Sequence, residues 1–141
     1  MKKPSVFYSI GARVGGQGLS LVAQMAGEAL TNKNMLEQLL CYGETGRVNV
    51  ENVNRIYFQP AKLFSHLPSK YYYSMKRAWM DWRASHYLKH SRADIFHGWT
   101  HEALRSIRVA KSKGMLTILE RGNTHPLFSQ KILEEEYGIY G

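Results

Sequence analysis

The chain has 141 residues, 19 Lys+Arg against 11 Asp+Glu, a formal net charge of +8 and a pI near 9.7. With 44% hydrophobic and 21% charged residues it has the composition of a soluble globular chain, not a disordered one. The length admits one domain with a real core, or a piece of a larger protein, and excludes a two-domain enzyme complete in itself. No stretch approaches the ~20 apolar residues of a membrane span. The apolar run behind the basic start, Val6 to Ile10, is too short for a signal-peptide core. A single cysteine, Cys41, allows no internal disulfide and no cysteine metal cluster, reads as a small buried hydrophobe, and points by default to a reducing, cytoplasmic location.

Taken in chain order, residues 4–10 form a short β-rich apolar run ending in glycine and predict a buried strand. Residues 11–18 hold four glycines in eight positions and predict a loop. Residues 18–30 carry Leu19, Val22, Ala23, Ala26 and Leu30 at helical spacing, and the polar run from Thr31 to Asn34 stops that helix. Residues 35–41 fit strand or helix, and 43–54 read as a polar loop. Residues 55–59 predict a short strand halted by Pro60, and 61–69 read as irregular. A long helix over 70–90 places Tyr72, Met75, Trp79 and Trp82 on one face, expected to pack on the sheet. Residues 93–97 predict a strand, and 100–113 a helix with Ala103, Leu104, Ile107 and Ala110 inward, closed by Lys113-Gly114. Residues 115–119 predict a strand, 120–126 a loop, and 127–137 a helix, with Pro126 at its first turn.

Strands alternating with helices predict an α/β domain: a doubly wound, Rossmann-like parallel sheet covered on both faces. Residues 1–141 read as one such domain, expected to be incomplete at its C-terminal end because a strand should follow the last helix. Ligands in such a sheet bind beyond the carboxyl ends of the strands, where strand order reverses. Three segments fall there: the glycine loop, His97-Gly98-Trp99, and the run from Glu120 to Pro126. The glycine loop is neither a P-loop nor a full dinucleotide fingerprint, because no Gly-Lys-Ser/Thr opens the helix and the third glycine after Gly16 and Gly18 is missing. Its two readings are a tight turn and an anion cradle at a helix N-terminus. His97 fits a core histidine or a ligand contact equally. With His101 it lacks a third partner for a metal, so no metal site is expected. His125, beside Arg121, Asn123 and Thr124, combines a group that titrates near neutrality with a cation and amide and hydroxyl donors.

The charge favours anionic partners. Between Lys70 and Arg92, six cations stand against Asp81 alone. That segment, with three consecutive tyrosines, reads either as a solvated helix packed by its aromatic face or as an interfacial helix on an anionic membrane. Nucleic acid is not expected, because the aromatic spacing suits a helix and not a stacking platform.

The ordered set of Gly15-Gly16-Gln17-Gly18, then Ala93 to Trp99, then Glu120 to Pro126 resembles the N-terminal domain of retaining GT-B glycosyltransferases of family 4. The resemblance spreads over the whole chain and implies an acceptor-binding half that faces a nucleotide-sugar-binding domain across a cleft. It implies that Gly15 and Gly16, with Gly18, meet the donor diphosphate. It places His125, or else His97, against the donor sugar in the catalytic position, and turns Arg13, Trp99, Arg121 and Asn123, with Thr124, toward acceptor or phosphate. The donor would be a UDP- or GDP-sugar and the acceptor a glycan, lipid or small molecule. No cofactor or metal is implied, and the donor domain with its paired glutamates is absent from residues 1–141, so transfer by this chain alone is not expected. The rival reading is a stand-alone α/β module that binds a phosphorylated ligand without chemistry.

Overall fold

The computed structural model describes residues 2–57, 66–122 and 126–140. The strands are β1 (Val6–Ser9), β2 (Arg13–Val14), β3 (Leu36–Cys41), β4 (Gly43–Glu44), β5 (Val53–Arg55), β6 (Ile95–Trp99) and β7 (Leu116–Glu120). The helices are α1 (Leu19–Asn32), α2 (Ser69–His90), α3 (Leu104–Ser112) and α4 (Pro126–Tyr140). Five strands form one parallel sheet in the order β5-β3-β1-β6-β7, and β2 and β4 pair as a separate parallel ribbon. The chain winds outward from β1 in one direction and then, after α2, in the other. This is the doubly wound, Rossmann-like α/β fold, with its reversal between β1 and β6.

β1 is buried along its whole length, as a central parallel strand covered on both faces must be. Successive residues alternate between two cores. Phe7, Leu40 and Phe96 meet Met80, Ala84 and Leu88 of α2 and Ala110 of α3 on one face. Val6, Tyr8, Ile10, Leu39, Cys41 and Trp99 form the other face with Ala23 of α1.

Several boundaries and faces differ from the sequence expectation. Residues 36–41 resolve as strand. The strand expected at 55–59 lies earlier, at β5, and 58–60 are outside the described residues, as are 61–65 of the irregular run. A two-residue strand, β2, interrupts the expected glycine loop, and β4 starts the loop expected at 43–54. The strand expected at 93–97 runs on to Trp99, and the following helix starts only at Leu104, leaving 100–103 as a turn.

Leu19 and Val22 of α1 and Leu104 of α3 are exposed rather than inward. The expected packing face of α2 is also reversed. The buried residues are Met80, Asp81, Ala84, Ser85 and Leu88, while Trp82 is exposed and Tyr72, Met75 and Trp79 are half-buried. At 100° per residue the two sets lie on roughly opposite sides of the helix. The small residues Ala84 and Ser85 let α3 approach closely. Asp81 turns inward because it serves that neighbour. Its carboxylate accepts the backbone N–H groups of Arg105 (2.7 Å) and Ser106 (2.9 Å) and the Ser106 hydroxyl (2.6 Å). Ala103, at the α3 N-cap position, has no side chain able to do so.

Candidate functional site

The reversal between β1 and β6 opens a cleft of about 510 Å³ at the carboxyl edge of the sheet. Gly11 follows β1; Trp99 ends β6, and Thr100, His101 and Glu102 follow it in the turn to α3. Tyr73, Lys76 and Arg77 come from the first third of α2, Tyr42 from the β3–β4 junction, Leu19 from the start of α1 and Gly122 from just beyond β7.

Glu102 is the central polar group. Its carboxylate accepts the Gly11 N–H, which ties the turn after β6 to the end of β1. Burial pushes its pKa up, opposed by the Gly11 bond and by Arg77 and Lys76. Lys76 has the reverse problem: burial and the nearby Arg13 push its pKa down, and Glu102 offsets this in part. The Lys76 ammonium stands 4.3 Å from the centre of the Tyr42 ring, and the Tyr42 hydroxyl donates to the Lys76 carbonyl (2.7 Å). Burial raises the Tyr42 pKa, so its hydroxyl stays a donor. His101 adopts φ +75°, a left-handed conformation costly for a non-glycine residue, at the turn that presents Glu102.

Behind the cleft, the Trp99 indole donates to the Tyr8 hydroxyl (3.0 Å), whose pKa is pushed up to about 12 by burial. The His97 ring lies 4.6 Å from that of Tyr8, and its Nε2 is 3.0 Å from a Glu120 carboxylate oxygen, at ion-pair distance but not aligned as a hydrogen bond. Burial holds the His97 pKa below its ordinary value, and Glu120 pulls it back up.

The sequence candidates distribute unevenly over this geometry. Trp99 lines the cleft. His97 lies in the middle of β6 within the sheet layer, with Tyr8 and Glu120, and is not a lining residue. Arg13, in β2, is exposed and close enough to Lys76 to lower its pKa. Arg121 is half-buried directly after β7. Asn123, Thr124 and His125 lie outside the described residues.

In the glycine loop, Gly15 is spoken for. It adopts φ +92°, an added Cβ would stand 2.3 Å from the Thr45 carbonyl oxygen, and its N–H bonds to the Ser20 carbonyl (3.0 Å). Gly16 and Gly18 also have positive φ, but in open space. They precede a helix with no side-chain cap and no acidic residue in its first turn.

Sequence reading missed Glu102, Lys76, Arg77, Tyr42, Tyr73 and His101. Glu102 had a usable signal: it falls three residues after a strand at the ligand edge, a position assigned instead to a helix. Lys76 and Arg77 had none, because only tertiary packing brings α2 to this edge. Among the described residues no group of three or more His, Cys, Asp or Glu side chains is placed to hold a metal ion, and no helix is long and apolar enough to cross a membrane. Comparison with protein-family models, with curated proteins and with solved structures found no match.

Proposed function

We propose that this chain is the acceptor-binding domain of a glycosyltransferase, and that the switch-point cleft holds the acceptor. The observation that carries the reading is the cleft itself. It sits at the strand-order reversal and joins aromatic walls (Trp99, Tyr73, Tyr42) to a carboxylate and a cation pair. A carbohydrate needs both parts: flat apolar surface for its C–H faces and fixed charged partners for its hydroxyls. Glu102 is pre-oriented by Gly11 to receive such a hydroxyl. The uncapped start of α1 beside Gly16 and Gly18 supports a donor phosphate approaching there.

The reading requires a donor-binding domain, supplied in cis or in trans, to carry a UDP- or GDP-sugar. The reaction is retaining transfer of the sugar to an acceptor hydroxyl held in the cleft, with His125 as the residue against the donor sugar. The test is transfer of labelled sugar to a carbohydrate acceptor with the donor domain present. Tyr73→Ala and Glu102→Gln should each cut turnover at least tenfold with the fold intact, since Tyr73 is an exposed wall of the cleft. Unchanged turnover in both variants refutes the assignment of the cleft.

The outward side of α2, with exposed Tyr71 and Trp82 among its cations, supports contact with an anionic membrane bearing the acceptor. Co-sedimentation with phosphatidylglycerol vesicles but not with phosphatidylcholine vesicles checks that contact, and equal behaviour with both removes it. A module that only binds a phosphorylated ligand is favoured by one observation: both cations and the carboxylate of the cleft come from this domain. It predicts ligand binding with no transfer even when the donor domain is supplied.

A further inference from the structure

We infer that the ligand of the switch-point cleft carries a phosphate monoester, held by Lys76 and Arg77, on a hydroxylated body received by Glu102. The inference rests on the reading of the cleft as an acceptor site and names the acceptor's chemical class. The first argument is charge. Lys76 and Arg77 line the cleft, and Arg13 stands close enough to Lys76 to act on it electrostatically. Among the lining residues the two cations face one carboxylate, Glu102, and outside the lining Arg13 is balanced by Asp81, leaving a formal +1. In a cleft of positive surplus the attraction grows with the charge of the ligand, so a phosphate monoester, at about −1.5 to −2 at neutral pH, is favoured over a diester or carboxylate at about −1.

The second argument is that neither cation is closed into an ion pair among the described residues. Neither the Lys76 ammonium nor the Arg77 guanidinium makes an ion pair with another described residue, although Asp81 lies one turn along α2 and Glu102 shares the cleft. Asp81 is committed to the α3 backbone, and Glu102 is bonded to Gly11. Both nearby carboxylates are therefore held by bonds to backbone N–H groups, and Glu102 acts on the two cations through its field without closing an ion pair with either.

The third argument is placement. Lys76 is half-buried over the Tyr42 ring, with its backbone carbonyl fixed by the Tyr42 hydroxyl. A cation held on an aromatic face presents its remaining donors in a defined direction, whereas a solvated surface lysine does not. Arg77, next in sequence, adds a planar donor fork suited to phosphate. Trp99 and Glu102 line the same cleft, leaving the hydroxylated body of the ligand an apolar wall and an acceptor.

Isothermal titration of the full chain separates the possibilities. The probes are glucose, mannose and fructose, their 6-phosphates, inorganic phosphate, and glycerophosphoinositol as a soluble diester headgroup. The account expects at least one hexose phosphate to bind at least tenfold tighter than its neutral parent and than phosphate alone. The Lys76→Gln/Arg77→Gln double variant should lose at least tenfold for that ligand, and clearly more than it loses for the neutral parent. Circular dichroism identical to the parent protein confirms the fold. Equal affinity for neutral and phosphorylated sugars, or unchanged binding in the double variant, overturns the phosphate assignment while the acceptor reading stands. Glycerophosphoinositol binding as tightly as the best monoester overturns it in favour of a lipid headgroup. Binding of inorganic phosphate alone, with no sugar or sugar phosphate bound, overturns the acceptor reading as well.

Discussion

Replacing Asp81 by alanine should unseat the turn that carries the cleft. The Asp81 side chain is 7% exposed and accepts two backbone N–H groups at the start of α3 and the hydroxyl of fully buried Ser106. Loss of a helix N-cap alone costs about 1 kcal/mol. The buried Ser106 hydroxyl loses its charged acceptor but keeps the Asp81 backbone carbonyl (3.1 Å), so this loss adds about 1 kcal/mol. The Arg105 side of the cap borders a second cleft, lined also by Arg77, His101 and Leu104, through which water can reach the freed N–H groups and limit the penalty. The net loss should be about 2 kcal/mol, or roughly 7 °C in Tm for a chain of this size.

Urea unfolding with an unchanged m-value measures that loss, and amide exchange at Arg105 and Ser106 locates it. Asp81→Asn keeps one acceptor oxygen and should lose about half as much. The turn at 100–103 joins β6 to α3, so ligand binding in the cleft should weaken along with stability. A loss under ~1 kcal/mol, with exchange at Arg105 and Ser106 unchanged, would refute the cap as the support of this turn.

The Glu102 carboxyl has its pKa raised by burial, so its ionised form opposes folding at neutral pH and the penalty fades as pH falls through the raised value. Glu102→Gln, which retains an acceptor for the Gly11 N–H, should therefore raise Tm at pH 7, with the gain shrinking on acidification; a gain that grows in acid contradicts this. His97 has its pKa lowered by burial, so it withholds stability as pH falls from the ordinary imidazole value toward the lowered one. Glu120 pulls the His97 pKa up, so Glu120→Gln should depress it further in an NMR titration, and an upward shift breaks the argument. Gly15→Ala should cost about 2–4 kcal/mol in urea unfolding, because positive φ and a backbone oxygen both oppose a Cβ there. Gly18→Ala, strained at φ +58° and ψ −129° but in open space, should cost about 1–2 kcal/mol and less than Gly15→Ala; equal losses would show that the Thr45 contact contributes nothing.

The doubly wound sheet was legible because the signal is local and repeated. The continuous apolar runs of β1 and β6, separated from neighbours by helical spacings, imply buried parallel strands, and the two pair side by side at the reversal. The rotation of α2 was not legible. Tyr72, Met75, Trp79 and Trp82 dominate any hydrophobicity count, yet close helix approach selects Ala84 and Ser85, and Asp81 is drawn inward by backbone donors 24 and 25 positions away. The site was legible as a location but only partly as residues. The reversal edge and Trp99 follow from strand order, whereas Lys76, Arg77 and Glu102 meet only once α2 and the β6–α3 turn are packed.

The account's central claim is that the cleft between β1 and β6 is the ligand site. The most direct measurement is amide chemical-shift mapping of the ¹⁵N-labelled chain during titration with hexoses and hexose phosphates. The account predicts saturable shifts concentrated at Gly11, Lys76, Arg77 and the 99–102 turn, abolished in Lys76→Gln/Arg77→Gln for the phosphorylated ligands. Shifts that map elsewhere, or the absence of any saturable shift at these amides, would contradict it.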